Sequence, residues 1–353
     1  MGYKVNYREI VDSDGWALVE LLRHGSDSGH VRFSRHYKVD IWTSLKSVHG
    51  NILGYVAEIP HEKRLIGCGF GNLDQCQYEG CIRTCARLHG VFVHPEYRHH
   101  GIASNLTELR CRHIRESVGA DTVIWAAIQN GNYASARLFE KSLNGNRPQF
   151  LSKHLVTITV PTTPRAPKRN PLYHIAMAQD DEYPIIAKNL NQYYHSYNFF
   201  SPASDGDIQE WLHNTPIQTG YRHYYVVKDH SGRLLAGAAL AENFRLRSLK
   251  VSLPSHLKLL NLITKTLPPS GLVNDVEVSK FWHLPGEEAA GRVLWDTIRW
   301  KAACCANTVM IALSRSCPVI GNVIPRSLRA STVAFSVAVN SGVKMASRRL
   351  VYY

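Results

Sequence analysis

The chain has 353 residues, more than one average domain of roughly 100–200 residues, so its length predicts two domains. Hydrophobic residues make up 44% and charged residues 20% of the sequence, an ordinary globular composition, and no run of about 18 apolar residues predicts a transmembrane helix. The formal net charge of +13 suits a polyanionic partner, such as a nucleic acid, an anionic surface or a phosphorylated cofactor, without choosing among them.

Segments with strand and helix periodicity alternate through the first half of the chain. The predicted strands are residues 4–9, 53–59, 65–70, 81–93, 122–128 and 155–160. The predicted helices are residues 16–24, 37–48, 102–118 and 134–143. This order of elements predicts an α/β (α+β) fold.

A segment rich in Pro, Thr, Lys and Arg, residues 161–171, is the best domain boundary. After it the order of elements repeats. The predicted strands there are residues 173–178, 224–228, 235–241, 276–284 and 308–313, and the predicted helices are residues 180–194, 205–213 and 287–303. We therefore predict two tandem modules, residues 1–161 and 172–353, joined by a linker at residues 162–171.

One segment, residues 91–105, has a pattern that indicates chemistry: a strand, a tight loop and the start of a helix. The loop carries Arg98-x-x-Gly101-x-Ala103, in which glycine and alanine let the backbone approach a ligand closely. The N–H groups of the first helical turn have no intrahelical acceptor and, with the helix dipole, form an anion site to which Arg98 adds a cation. The loop is therefore well suited to hold a pyrophosphate.

This loop, together with the preceding Val91-x-Val93-x-Pro95, resembles the pyrophosphate loop of the GCN5-related N-acetyltransferase (GNAT) superfamily. A second segment, residues 130–141, resembles the Asn-containing loop and following helix of that family. The resemblance covers residues 4–160, and the chain is loosely similar to the plant hookless-type N-acetyltransferases. It implies GNAT-like modules, each a mixed central sheet flanked by helices, and transfer of an acetyl group from acetyl-CoA to a primary amine by direct attack in a ternary complex.

The resemblance also implies which residues bind acetyl-CoA. They are Val91, Phe92, Val93, Arg98, His99, His100, Gly101, Ile102, Ala103, Ser104, Asn132 and Phe139. Asn132 has a second interpretation as the N-cap of the helix that follows it, and both can hold together. Phe139 occupies a position where many family members carry a Tyr that protonates the leaving thiolate, so Tyr133 is the nearby candidate for a proton donor, with solvent as the alternative.

The general base has several candidates. An amine nucleophile is protonated at pH 7 and must lose a proton before it attacks, so a Glu or a His should accept that proton. Counting back by twos along the strand from Val93 and Val91 reaches His89, the first candidate, with Glu79 and Glu58 behind it. The alternative for His89 is a histidine whose hydrogen bonds are satisfied in the core.

Cys76, Cys81, Cys85 and His89 look like a possible metal cluster, but the last three lie on the predicted strand 81–93. Strand positions four apart are roughly 13 Å from each other, whereas zinc requires ligand bonds of about 2.0–2.3 Å. We therefore predict no metal site.

In the second half, the counterpart of the cofactor loop reads Gly286-Glu287-Glu288. It lacks the Arg-x-x-Gly-x-Ala pattern, and its two carboxylates suit the helix dipole but would repel a pyrophosphate. We predict a degenerate second module that supports the first and shapes the acceptor pocket.

Three classes of function follow from the sequence. The first is an acyl-CoA-dependent N-acetyltransferase whose amine acceptor is a small molecule, a peptide or a protein. The second is a non-catalytic binding or regulatory protein that retains coenzyme A, which Phe139 favours. A nucleic-acid binder is supported by net charge alone, since no long Lys/Arg run is present. Residues 1–9 are polar and lack an apolar signal core, so we expect a cytoplasmic or nuclear protein without a membrane partner, in an oligomeric state that the sequence does not define.

Overall fold

A mixed sheet of twelve strands runs through both halves of the chain in the computed structural model. The structure describes residues 4–25, 32–62, 64–142, 148–168, 170–264, 267–325, 331–346 and 349–351. The first half contains β1 (Asn6–Glu9), α1 (Gly15–Arg23), β2 (Arg32–Tyr37), α2 (Ile41–Val48), β3 (Ile52–Ile59), β4 (Arg64–Tyr78), β5 (Cys81–Val93), α3 (Ile102–Val118), β6 (Val123–Gln129), α4 (Tyr133–Ser142) and β7 (Gln149–Pro161). The second half contains β8 (His174–Met177), α5 (Tyr183–Tyr194), α6 (Asp205–His213), β9 (Arg222–Lys228), β10 (Leu234–Ala241), β11 (Arg247–Ser252), α7 (Ser255–Thr264), β12 (Leu272–Val273), β13 (Asp275–His283), α8 (Glu288–Lys301), β14 (Thr308–Ser314), α9 (Val319–Asn322) and β15 (Ser331–Asn340).

The strand order of the large sheet shows that the two halves repeat one architecture. It runs β1-β3-β4-β5-β6-β15-β7-β14-β13-β10-β9-β8. β5 pairs with β6 and β13 pairs with β14 in parallel, and both parallel pairs are bordered by antiparallel strands. This arrangement confirms the predicted α/β fold of two tandem modules, each with a mixed central sheet flanked by helices.

The last strand of each half lies beside a strand of the other half. β15 lies between β6 and β7, with Ala338 opposite Ala126, and β7 pairs on its other side with β14, with Ile158 opposite Ile311. The two modules therefore share one sheet. Within the predicted linker, the described residues contain no helix or strand. The division of the chain at residues 162–171 stays a prediction, since the sheet continues across it.

Two further contacts join the halves. In each, the segment between two neighbouring strands of one module (β4–β5 or β10–β13) contacts the segment between the first two helices of the other (α1–α2 or α5–α6). β2 of the first half pairs with β11 of the second, which forms a small sheet with β12. In the other direction, the tip of the β4–β5 hairpin binds the segment between α5 and α6: Asn198 Nδ2 donates to Glu79 Oε1 at 2.6 Å, and the Phe199 N–H donates to the Gln77 carbonyl at 2.7 Å. The insertion between β10 and β13 takes the place of that hairpin tip in the second module.

The apolar spacing of α3 explains its position against β3, β4 and β5. Ile102, Leu106, Arg110 and Ile114 recur at every fourth position, and each is no more than 3% exposed. Residues four apart share one face of a helix, so this stripe is turned to the sheet. Three of its members are apolar, and the fourth is an arginine with a role at the site described below.

The structure corrects several predicted elements. The predicted helix 37–48 begins at Ile41, because residues before it pair as β2 with a strand of the other half. The predicted strand 65–70 extends to Tyr78. The predicted helix 134–143 begins at Tyr133 and is described as far as Ser142, so residue 143 lies outside the described residues. The sequence did not predict β2, β11, β12, β15, α7 or α9.

Two of the clustered cysteines are paired. Cys76 on β4 and Cys85 on β5 form a disulfide inside a buried cluster that includes Trp125, whereas Cys81 is exposed. The sequence pattern did not indicate this bond. Among the described residues, no helix is both long enough and apolar enough to span a bilayer.

Candidate active site

The loop between β5 and α3 leaves the backbone of the first helical turn accessible. A short 3-10 turn, Pro95–Tyr97, follows β5, and the chain then passes through two left-handed residues, His99 at φ 68° and Gly101 at φ 78°. A Cβ added at Gly101 would meet nothing within 4 Å, so the loop opens outward at this residue. Positive φ values suit glycine, which explains the conformation at Gly101.

Gly101, the N-cap residue of α3, has no side chain to cap the helix, and the first turn of α3 contains no acidic residue. The N–H groups of Ile102, Ala103 and Ser104 therefore remain oriented toward the loop, where the helix dipole favours negative charge. Arg98 and His99 are exposed beside them. This arrangement has the geometry that favours an anion at a helix N-terminus, and the binding of a pyrophosphate there stays a prediction.

Arg98 lies along the end of β5. Its Nε donates to the Val93 carbonyl at 3.1 Å, and its guanidinium carbon is 5.8 Å from the ring centroid of Phe92. The cation is therefore held between the last strand residues and the first turn of α3, close to both parts of the predicted cofactor site.

A slot opens between β5 and β6. The two strands pair in parallel over three residue pairs, which end at Arg87 opposite Trp125. Beyond that pair, residues 88–93 of β5 and 126–129 of β6 make no further β5–β6 pairs, although both strands are described throughout. The backbone of Val91 therefore faces a gap between diverging strands, as the family resemblance implies.

A bulge on the other side of β5 marks the same point. Phe92 pairs with Cys68 and His89 pairs with Phe70, so two β5 residues, Gly90 and Val91, lie opposite Gly69 alone. A bulge bends its strand and increases the local twist. The bend turns the end of β5 away from β6 where the slot begins.

Arg110 holds this bulge from inside the protein. Its Nη1 donates to the carbonyls of Phe70 at 2.6 Å and His89 at 3.3 Å, and its Nη2 donates to Thr107 Oγ1 at 2.9 Å. Burial lowers the pKa of Arg110 to about 10, which still leaves the side chain protonated at neutral pH. A Cβ at Gly69 would lie 2.8 Å from the guanidinium carbon, so the arginine needs glycine at that position.

The sequence interpretation missed Arg110, although a signal for it exists. An arginine in the otherwise apolar stripe of an amphipathic helix must find acceptors in the core, because a buried charge without them is costly. Carbonyls released by a bulge are such acceptors.

His89 lies on the face of β5 opposite α3. Its neighbour Leu88 packs with α3 residues, and alternation along the strand turns His89 to the other side. His89 Nε2 is 2.6 Å from Asn72 Oδ1, and since an amide oxygen only accepts, this contact places the proton on Nε2 and leaves Nδ1 as an acceptor. Burial, and then the charge of Arg87, hold the pKa of His89 well below its usual value, so the ring is neutral at pH 7.

The other candidate bases lie elsewhere. Glu79 lies at the far end of the β4–β5 hairpin, ten residues from the slot along β5 and thus roughly 30 Å away, where it binds Asn198. Glu58 on β3 pairs with Arg8 at 2.9 Å. Neither carboxylate is carried into the mechanism below.

The residues after β6 occupy the predicted loop and helix. Asn132 Oδ1 accepts from the Ser135 N–H at 3.2 Å, which is the N-cap geometry foreseen as its second interpretation. Tyr133 is 71% exposed at the start of α4. Phe139 is 4% exposed and packs in the core with Ala126 and other residues of α3, β6 and β15.

The second module has a corresponding gap that other residues fill. β13 and β14 pair over four residue pairs that end at Val278 opposite Ile311, and then diverge. Tyr194, Leu350 and other side chains line the small space that remains between the strands. At the N-terminus of α8 stand Glu287, the N-cap residue, and Glu288. Two carboxylates therefore stand at the N-terminus of α8, where the first turn of α3 contains no acidic residue.

Comparison with known proteins gives one family and a set of similar folds. Residues 20–144 match the model of the acetyltransferase (GNAT) family. No curated protein sequence matches the chain.

Three solved structures illustrate the similar folds. The N-myristoyltransferase of Saccharomyces cerevisiae with bound myristoyl-CoA has a TM-score of 0.63 at 7% identity, over 97% of this chain and 84% of that one. A GCN5-related N-acetyltransferase from Anabaena variabilis has a TM-score of 0.53 at 15% identity, over 95% and 72%. A probable N-acyltransferase from Enterococcus faecalis has a TM-score of 0.54 at 10% identity, over 95% and 72%. At these identities the likeness shows the fold alone.

Proposed function

Because residues 20–144 match the model of the acetyltransferase (GNAT) family, we propose that the protein is an N-acyltransferase that uses acetyl-CoA. It transfers the acetyl group to a primary amine by direct attack in a ternary complex. The observation that carries this proposal is the uncapped N-terminus of α3 beside the slot at which β5 and β6 diverge. One feature suits a pyrophosphate and the other suits an extended thioester arm, and the two lie at opposite ends of one short loop.

Each part of the cofactor has matching residues in this chain. The N–H groups of Ile102 to Ser104 would hold the pyrophosphate, with positive charge from Arg98. The backbone of Val91 and Val93 would pair with the amides of the pantetheine arm, in place of the strand that β5 lacks beyond Arg87. Asn132 borders the arm from the end of β6.

The reaction requires a base, a site for the oxyanion and an acid. Neutral His89 accepts the amine proton on Nδ1, directly or through a water molecule, while Asn72 orients the ring. A backbone N–H near Val91 and Val93 holds the oxyanion of the tetrahedral intermediate. The sulfur then leaves as a thiolate and takes a proton from Tyr133 or from solvent, because the phenyl ring of Phe139 has none to give.

A short acyl group suits the packing under the slot. Phe139 is buried with Leu88 and Ile128 between α3, α4 and β6, so this space is filled by side chains of the protein itself. An acetyl group needs little room beyond the carbonyl that is attacked.

A second candidate is a coenzyme A-binding protein without catalysis, which the absence of a hydroxyl at Phe139 favours. Such a binding protein would have the same cofactor site as the enzyme but would not catalyse acyl transfer. A thiol-release assay over a panel of amines separates the two, since the binder releases no thiol with any acceptor.

Calorimetry with acetyl-CoA tests the cofactor site itself. Gly101→Glu places a carboxylate at the anion site, and we expect it to weaken binding at least about tenfold, the equivalent of about 1.4 kcal/mol. Gly232→Glu is the matched control, because Gly232 has φ 84° against 78° at Gly101 and an added Cβ meets nothing within 4 Å at either. Absence of binding by the wild type, or equal weakening in both variants, would refute the proposed site.

A further inference from the structure

We propose that the protein binds a small amino acid, in its zwitterionic form, in a cavity between β1, β3 and the C-terminal half of α3. The cavity has a volume of about 390 Å³, within the range of roughly 300–1,000 Å³ that is usual for small-molecule sites. We call it the α3 cavity. Its lining residues are Glu9, Tyr55, Leu109, Arg112, His113, Glu116 and Ser117.

One wall of the α3 cavity is a polar stripe of α3. Five of the lining residues recur along the helix at the spacing i, i+3, i+4, i+7 and i+8, at which side chains share one face. They are Leu109, Arg112, His113, Glu116 and Ser117. The stripe that α3 turns to the sheet is buried, whereas this neighbouring stripe is exposed or half-buried. The helix therefore presents charged and polar groups to a space that solvent can reach.

The opposite wall is held by a hydrogen-bonded network of Glu9, Tyr55 and His113. Glu9 on β1 and Tyr55 on β3 are directly opposite each other, so their side chains lie on the same face of the sheet. Tyr55 Oη is 3.2 Å from Glu9 Oε1 and 2.8 Å from His113 Nδ1. Because a carboxylate only accepts, the tyrosine donates to Glu9 and accepts from the Nδ1–H of His113.

This network fixes a carboxylate at the edge of the cavity. Burial, and then the charge of Glu9, raise the pKa of Tyr55 to about 12, so its hydroxyl stays protonated and keeps donating to Glu9. Both contacts of the Glu9 carboxylate use Oε1. Within the described part of the chain, Oε2 has no partner and is available to a ligand.

Two more charges border the same space and are unpaired. Among the described residues, the side chains of Arg112 and Glu116 make no hydrogen bond and no ion pair. They are four residues apart on α3, a spacing at which opposite charges can pair, but the order with the carboxylate on the C-terminal side is the less favourable one. A guanidinium and a carboxylate are therefore both available in the α3 cavity.

The positions of these charges give the cavity two different ends. Glu116 lies in the last turns of α3, which ends at Val118, and there the helix dipole also favours positive charge. We therefore place an ammonium group between Glu9 and Glu116 and a carboxylate group on Arg112, whose planar guanidinium can bind it through two hydrogen bonds. Residues four apart on a helix have Cβ atoms about 5–6 Å apart, so one small zwitterion can contact both.

A ligand with a single charge fits this arrangement less well. An amine would lie near the positive Arg112, and a carboxylic acid would lie near Glu9 and Glu116, and like charges repel each other. A zwitterion pairs with both signs. Leu109 gives a short aliphatic side chain an apolar contact.

The α3 cavity is separate from the proposed cofactor site. Ile102 and His113 are eleven residues apart on α3, which is roughly 16 Å at about 1.5 Å per residue. The cavity shares no residue with the cofactor loop or with His89, so this proposal does not rest on acyl transfer. If acetyl-CoA fails to bind while the cavity takes up an amino acid, the acyltransferase proposal falls and this one stands.

The test is an NMR titration of the full chain with L-alanine at constant pH and ionic strength, followed by the C–H resonances of His113. These resonances are assigned by their absence from the spectrum of His113→Ala. We expect a saturable shift with a dissociation constant of about 1 mM or below. Ethylamine and propionate have the skeleton of L-alanine without its carboxylate or without its ammonium group, and each should bind at least about tenfold more weakly. No saturable shift with L-alanine, or equally tight binding of either single-charge probe, overturns the proposal.

Two variants and a matched control locate the binding. Arg112→Gln and Glu116→Gln each remove one charge from an exposed position of α3, where the fold tolerates the change, and each should weaken L-alanine binding at least about tenfold. Glu108→Gln is the control, because Glu108 is an exposed glutamate of the same helix outside the cavity lining. Binding that is unchanged in both cavity variants, or that weakens as much in Glu108→Gln, also overturns the proposal.

Discussion

Two features of His89 have opposite effects on its ability to act as a general base. The hydrogen bond to Asn72 orients the ring and assigns its proton, whereas burial and Arg87 lower its pKa. A lowered pKa keeps the ring unprotonated and so available, but makes it a weaker base.

His89→Ala should lower turnover by at least about 100-fold while acetyl-CoA binding is retained, because general bases contribute roughly 10²–10⁴-fold. His113→Ala is the control, since His113 is a partly exposed residue on the other side of the sheet, paired with Tyr55. Thiol release and calorimetry are the two measurements. Unchanged turnover in His89→Ala would remove this residue from the mechanism.

The sequence predicted single residues well where a local pattern determined their place. The loop from Arg98 to Gly101 and the N-cap at Asn132 follow from neighbouring residues, and the structure places both as expected. The predicted strand 81–93 also has the bounds of β5, so it already placed Glu79 at the end of that strand far from the slot. Arg110 was missed because its partners are carbonyls, which no sequence pattern displays.

At the scale of elements, the shape of β5 next to the slot depends on its bulge. The bulge at Gly90 and Val91 interrupts the pairing of β5 with β4, on the edge of β5 opposite the slot. Beside the bulge, Arg110 donates hydrogen bonds to the carbonyls of Phe70 and His89. Buried carbonyls without a donor are costly, so the arginine stabilises a backbone shape that β5 would not otherwise keep.

Gly69→Ala should therefore destabilise the protein by about 1–3 kcal/mol, the usual cost of overpacking, and should weaken acetyl-CoA binding as well. Gly71→Ala is the matched control on the same strand and face: its Cβ would lie no closer than 3.3 Å to Leu53, whereas that of Gly69 would lie 2.8 Å from Arg110. Chemical denaturation and calorimetry measure the two effects. If both variants lost stability and acetyl-CoA affinity equally, the close packing of Arg110 under Gly69 would not be the cause.

Elements that complete their contacts locally were predicted with accurate bounds. α3 and β5 match their predicted ranges, because a regular apolar spacing and a continuous strand pattern define them. β2 and β11 pair with each other across more than 200 residues, and the partly exposed strand β2 has too little alternation to be recognised alone. Their existence depends on a partner that the local sequence does not reveal.

At the scale of the whole molecule, the second module is bound to the first through three reciprocal contacts. β7 and β15 pair side by side at the centre of the sheet, the β4–β5 hairpin binds the α5–α6 segment, and β11 pairs with β2. The sequence predicted the repeat but not this interlocking, since the order of elements does not say which half a strand will pair with.

Residues 1–161 expressed alone should not unfold cooperatively, because β6 and β7 lose the strand that lies between them. Expressed together with residues 162–353, they should form a complex that purifies as one species. The control is the full chain cleaved at a protease site placed in the linker, which should stay associated on size-exclusion chromatography. A first half that melts alone at the temperature of the whole protein would show that β15 is dispensable.

Because β15 lies between β6 and β7 in the sheet but comes last in the sequence, it is synthesised long after the two strands that it pairs with. At translation rates of about 5–20 residues per second, the ribosome needs roughly 10–35 s to proceed from Pro161 to Asn340. During that interval the nascent first module carries β6 and β7 with exposed edges, which is the kind of surface that associates with other chains. The slot lies beside β6, so the sheet around it is complete only when β15, the last strand, inserts between β6 and β7.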